Sequence, residues 1–220
     1  MIKGIVFDMD GLLIDTESLL SRFWCEAAQE LGYDMRHEHV LKIRSLAAKY
    51  AAPRLRELVA PDFDYYAVRA RRIELMNAYV DEHGFDVKPG LFELLDFLDG
   101  TDILKAVATA TDIARTRRYL DRIGVFGRFD AVVCGDMVEN GKPEPDIYIK
   151  AAASLGLPPQ LCFAAEDSPN GITSAYRAGC KPIMVPDLDK PSEETKTMLY
   201  ACVDTLSDII PLIKRENNPD

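Results

Sequence analysis

Short apolar runs recur along this chain, with segments of helical period set between them. The runs are Ile2–Phe7, Ile103–Ala108, Ala131–Cys134, Leu161–Ala165 and Pro182–Val185. Leu91–Leu98, Ile113–Ile123, Asp146–Leu155 and Asn170–Ala178 are amphipathic. A near-continuous apolar run of strand length suits a strand buried on both faces of a parallel sheet. Strands that alternate with helices imply right-handed crossovers and helices on both faces of that sheet. The pattern therefore predicts an α/β fold, and in such folds ligands sit beyond the carboxyl ends of the strands.

The rhythm breaks after the first run. Glu17–Leu31 has a helical pattern and stops at Gly32, a good terminator. Further helical stretches are expected over Glu38–Tyr50, Arg54–Ala60 and Asp64–His83, punctuated by Pro53 and Pro61. No strand pattern lies in this block, so it reads as a helical insert that leaves near Asp15-Thr16 and returns over Gly84–Gly90. Lys190–Thr197 reads as a charged, polar tail segment, and the residues after Lys214 as frayed.

Twenty-six Lys and Arg against 36 Asp and Glu give a formal charge of −10, which argues against a general nucleic-acid partner. A few local cations or a metal can still reverse the field inside one cleft. No apolar run approaches the roughly 18–20 residues of a membrane span. The start of the chain is too short in apolar residues for a secretory signal. Five dispersed cysteines without a C-x-x-C pair read as reduced thiols, so a cytoplasmic setting is expected, with a monomer as the default.

Four chemistry-bearing positions fall at ends of the predicted strands: Asp8 and Asp10, Thr109, Lys142 in Asn140–Pro143, and Glu166-Asp167. Together they suit phosphoryl transfer to a carboxylate nucleophile. Asp8 would attack phosphorus and split one displacement into two. Two carboxylates and a phosphate dianion repel one another, so a hard cation is needed. Asp8 and Asp167 side chains with the Asp10 backbone carbonyl would hold Mg²⁺. The Asp10 side chain would act as general acid and base. The Thr109 hydroxyl and Lys142 ammonium would hold the transferring phosphoryl group.

Each fragment also has a simpler reading. Asp8–Gly11 lacks the glycine position of a calcium loop and follows a strand, not a helix. Gly135–Lys142 has one residue too many for a phosphate-binding P-loop, and Pro143 stands where Ser or Thr is required. His37, His39 and His83 read as exposed helix residues.

Phe7–Glu17 resembles the first signature of the haloacid dehalogenase superfamily, Val107–Thr111 the second, Gly141–Pro145 the third and Glu166–Ile172 the fourth. The chain is most similar to the branch holding β-phosphoglucomutase and small sugar-phosphate phosphatases. The resemblance implies a Rossmann-like catalytic core over residues 1–16 and 84–220, with an α-helical cap over 17–83. It implies Mg²⁺, Asp8 as nucleophile, and a small phosphorylated metabolite as substrate. Asp10 argues against dehalogenation, because the dehalogenases lack that second aspartate. The histidine that β-phosphoglucomutases carry early in the cap is Leu20 here, and their lysine-glycine pair and arginine are not reproduced residue by residue in Leu41–Ser45. Phosphatase is therefore favoured over mutase, with a non-catalytic sugar-phosphate-binding module as a third reading. Lys42 and Arg44 are the cap residues expected to approach substrate. Trp24, Lys49 and Tyr50 could serve either substrate or packing.

Overall fold

The computed structural model describes residues 1–44, 46–187 and 190–217. Its strands are β1 (Gly4–Phe7), β2 (Ile14–Asp15), β3 (Asp86–Val87), β4 (Leu104–Thr109), β5 (Ala131–Cys134), β6 (Cys162–Glu166), β7 (Lys181–Met184) and β8 (Ala201–Cys202). Its α-helices are α1 (Glu17–Glu30), α2 (His37–Leu41), α3 (Ala48–Leu58), α4 (Tyr65–His83), α5 (Leu91–Asp99), α6 (Ile113–Arg122), α7 (Asp146–Ser154), α8 (Pro169–Arg177), α9 (Glu193–Met198) and α10 (Ile209–Asn217).

Six strands form one parallel sheet in the order β5-β4-β1-β6-β7-β8. The α/β class expected from the alternation is the fold observed. Strand β1 lies between β4 and β6, with Gly4 opposite both Leu104 and Cys162. All four of its residues are buried, as an apolar run without alternation requires. On one side of the sheet, Ala106, Ala108 and Ala164 pack with Ile147, Ala151 and Ala175 from α7 and α8. Small side chains on both layers let these helices approach the strands closely.

The chain divides into two compact units, Met1–Ile14 with Val87–Asp220, and Asp15–Asp86. The chain crosses between them where β2 and β3 pair as a two-stranded ladder. The second unit is helical and has its own core, in which Trp24, Ala27, Leu55, Phe63 and Val68 pack together. Asp64 caps α4 by accepting from the Ala67 amide at 3.0 Å.

Several expected elements need correction. Glu38–Tyr50 is not one helix: α2 ends at Leu41 and α3 starts at Ala48. Ala47, in extended geometry, precedes α3 and offers no side-chain cap, so nothing in the residue types marks that start. Pro53 does not end a helix; it lies inside α3, held there by buried Ala51, Ala52 and Leu55. The charged segment after Lys190 contains α9, started by Ser192, which accepts from the Thr195 amide at 3.1 Å. Helix α10 continues through Asn217, whose side chain bonds both the amide and carbonyl of Ile2. Ser45, and 218–220 of the segment read as frayed, lie outside the described residues.

The five cysteines are free. Burial pushes the Cys134 and Cys162 thiols up to about 11 and Cys180 to about 12, so these three remain inert thiols. Among the described residues no helix is long and apolar enough to cross a membrane.

Candidate active site

The four strand-end positions meet at the carboxyl edge of the sheet, all within the larger unit. Asp8 follows β1, and its amide donates to the Ala165 carbonyl at 3.0 Å, which carries the β6 pairing one residue past the strand. The chain then turns sharply: the Gly11 amide donates to the Ile14 carbonyl at 2.9 Å, and Gly11 has φ +85°. That left-handed conformation is open to glycine at little cost, and it leaves Asp10 beside the strand end.

Lys142 is the pivot. It is fully buried, and its Nζ donates to Asp8 Oδ1 at 2.5 Å and to Glu166 Oε1 at 2.5 Å. The turn that carries it contains a cis Lys142-Pro143 bond. Ser174 from α8 donates to the Glu144 carbonyl at 2.6 Å, and Asn140 donates to Asp146 at 2.9 Å, so both flanks of the turn are tied down. Burial alone would lower the lysine pKa, but Asp8 and Glu166 outweigh it and hold the group above its ordinary value. The ammonium is therefore a permanent charge.

Glu166 ends β6 and is held from every side. Besides Lys142, it accepts from the Tyr148 hydroxyl at 2.7 Å, the Asp167 amide at 3.2 Å and the Ser168 hydroxyl at 3.2 Å. Burial and the nearby carboxylates raise the Tyr148 pKa, so its hydroxyl stays a donor. Asp8, Glu166 and Asp167 offer carboxylate oxygens within 4.8 Å of one another, and all three are buried. Burial pushes Asp8 up to about 8 despite Lys142, with Glu166 and Asp10 adding to the rise. A cluster of buried carboxylates facing a single lysine is short of positive charge, and its hard oxygen donors fit a divalent cation. Glu166 is already committed to Lys142 and Tyr148, which leaves Asp8 and Asp167 as the better ligands.

Asp10 is half-buried, and its side chain is outside that cluster. Its Oδ2 accepts from Thr111 Oγ1 at 2.8 Å and lies 3.5 Å from Thr109 Oγ1. Thr109 ends β4, and its hydroxyl also accepts from the Thr111 amide at 3.1 Å.

The cap positions are placed differently from expectation. Lys42 and Arg44 lie in the connection after α2, not on a helix. Lys42 is exposed, whereas Arg44 is 5% exposed and donates to Glu17 at 3.0 Å. Arg44 is thus a buried ion-pair member rather than a solvated cation. Trp24 packs against Tyr65, with ring centroids 5.5 Å apart, and Arg72 lies over its ring, so packing accounts for it. Lys49 sits over the Tyr50 ring. His37 and His83 are exposed on helices and His39 is partly so.

Sequence reasoning placed Glu166 beside Asp167 at a strand end but gave it no role, and it did not single out Tyr148 or Thr111 as site residues. Glu166 and Thr111 stand inside quoted motifs, where a second carboxylate and a second hydroxyl were the available signals. Tyr148 carries no signal, because its role exists only once α7 lies against β6.

The sequence profile of the haloacid dehalogenase-like hydrolases matches residues 5–185. Hexitol phosphatase A of Escherichia coli is 34% identical over 186 residues, covering 83% of this chain and 82% of that protein. A phosphorylated carbohydrates phosphatase of Thermotoga maritima is 30% identical over 181 residues, covering 82% and 83%. Among solved structures, CbbY from Rhodobacter sphaeroides in complex with phosphate superposes with a TM-score of 0.81 at 29% identity, over 95% of this chain and 96% of that one. A profile match over most of the chain, with the four sequence motifs gathered at one sheet edge, places this protein in the haloacid dehalogenase-like hydrolase family.

Proposed function

We propose that this chain is a Mg²⁺-dependent phosphatase that releases phosphate from a small sugar phosphate through an aspartyl-phosphate intermediate. The observation that carries the reading is the Asp8–Lys142–Glu166 arrangement, in which a nucleophilic carboxylate is held by a permanent buried cation. The phosphatase names of the two relatives support the substrate class. Hydrolysis rather than transfer to a second sugar hydroxyl is further supported by Leu20, where a mutase-type histidine would be expected. Five free cysteines support a reducing, cytoplasmic setting.

Asp8 is the nucleophile, and Lys142 both orients its carboxylate and faces the incoming phosphoryl oxygens. Thr109 offers a hydroxyl to the same oxygens. Asp10 protonates the leaving oxygen and then takes a proton from the attacking water. Asp8, Asp167 and the Asp10 carbonyl are the groups that would hold the metal, and Glu166 keeps Lys142 in place. A bound Mg²⁺ supplies neutralisation of the carboxylates and of the phosphoryl charge. The residues of 17–83 form the cap in this reading, and of Lys42 and Arg44 it is Lys42 that is exposed.

The test is phosphate release from a panel of sugar and hexitol phosphates with wild-type protein and Asp8→Asn. Metal-dependent release by the wild type and none by the variant supports the covalent route. Near-wild-type turnover by Asp8→Asn, with mass spectrometry excluding deamidation, rejects it. Conversion of glucose 1-phosphate to glucose 6-phosphate in place of phosphate release would shift the reading to a mutase.

A further inference from the structure

The first turn of α6 holds a buried cation that the chemistry above does not use. Arg115 is 8% exposed and sits where the helix dipole disfavours positive charge. Its Nη2 donates to Thr111 Oγ1 at 3.3 Å and lies 3.4 Å from Asp112 Oδ2. Its Nε and Nη1 are buried with no hydrogen-bond partner among the described residues. Burying a guanidinium in this position costs stability, so packing of the helix does not account for it.

Its neighbour does. A guanidinium has donors only, so it occupies an acceptor lone pair of the Thr111 hydroxyl. The single hydroxyl proton must then point elsewhere, and Asp10 Oδ2 lies 2.8 Å away. From this chain of donors we infer that Arg115 is a positioning residue: it fixes the direction of the Thr111 hydroxyl proton and, through Thr111, orients the Asp10 carboxyl that exchanges a proton with the leaving group. The inference rests on the phosphatase reading, because it presumes that Asp10 is the acid.

Such a role has a signature in the leaving group. Phenoxide needs a proton as it departs, whereas 4-nitrophenoxide departs well without one, and kcat/KM reports the first phosphoryl transfer. Arg115→Met should lower kcat/KM for phenyl phosphate by about tenfold or more, a part of the 10²–10⁴ that general acids supply. Turnover of 4-nitrophenyl phosphate should fall by less than about threefold. Thr111→Val should give the same pattern, the double variant should be no worse than either single one, and Arg115→Lys should recover most of the loss. Equal losses on both substrates, or losses that multiply in the double variant, would overturn the inference. If Arg115→Met does not fold, Thr111→Val and Arg115→Lys carry the same comparison. Asp10→Asn is the control: phenyl phosphate turnover that survives it rejects the acid assignment, and the inference with it, whatever Arg115 does.

Discussion

Gly171 lies so close to Glu166 that a Cβ at position 171 would fall 1.9 Å from the glutamate carboxyl carbon and 1.9 Å from Oε1. The glycine is needed for space, since Ser168 starts α8 directly over the carboxylate, accepting from the Gly171 amide at 3.2 Å. Gly171→Ala must displace either the helix or Glu166. Overpacking of this kind costs about 1–3 kcal/mol, and moving Glu166 loosens Lys142. The expected outcome is a lower melting temperature together with a fall in kcat/KM. Unchanged values of both would show that α8 absorbs the methyl group without moving Glu166.

Metal dependence follows from the carboxylate cluster. Activity should disappear in excess chelator and return with Mg²⁺. Ca²⁺ should not restore it, because its larger, looser coordination can take both oxygens of Asp8, the nucleophile in the proposed mechanism. Full turnover in chelator would count against the roles given to Asp8 and Asp167.

The raised pKa of Asp8 sets the direction of pH dependence in metal-free protein. Between the ordinary carboxylate range and about 8, the folded chain keeps a proton that the unfolded chain has lost. Stability from this group is therefore fully present below the ordinary carboxylate pKa and is lost as pH rises through the raised one. Melting curves of chelated wild type and Asp8→Asn should converge at low pH and diverge toward pH 8, with the variant the more stable. Parallel curves would show that Asp8 is not the group responsible.

Arg44 now carries a stability prediction. Its pair with Glu17 is buried, with side chains 3% and 7% exposed. Arg44→Ala removes the cation from a buried carboxylate, and breaking a buried pair this way typically costs about 3–5 kcal/mol. Adding Glu17→Gln should recover part of the loss. Loss of turnover on a sugar phosphate with an unchanged melting temperature would instead identify Arg44 as a substrate contact.

What could be read in advance divides along physical lines. Strands β1, β4, β5, β6 and β7 were legible because each is a short apolar run, and chemistry-bearing residues end or follow the first four. Strand β8 is only Ala201–Cys202, too short to form a pattern. The break between α2 and α3 has no capping side chain to announce it. Asp8, Asp10, Thr109, Lys142 and Asp167 stood out by residue type at strand ends. The groups that hold them did not, since Tyr148 and Arg115 acquire their partners only when α7 and α6 are in place.

The central position of β1 has a consequence for biosynthesis. The first strand emerges from the ribosome with neither neighbour available, since Gly4 pairs with Leu104 and Cys162. The helices of Asp15–Asp86 make local contacts and can form early, while the sheet waits for β6. Both edges of this apolar strand are open until β4 is made, and one stays open to other chains until β6 arrives. Truncation before β6 would deprive the nascent protein of Glu166 and Asp167 and also of one of the two strands that bury its first, making chaperone dependence and aggregation the expected fate of incomplete chains.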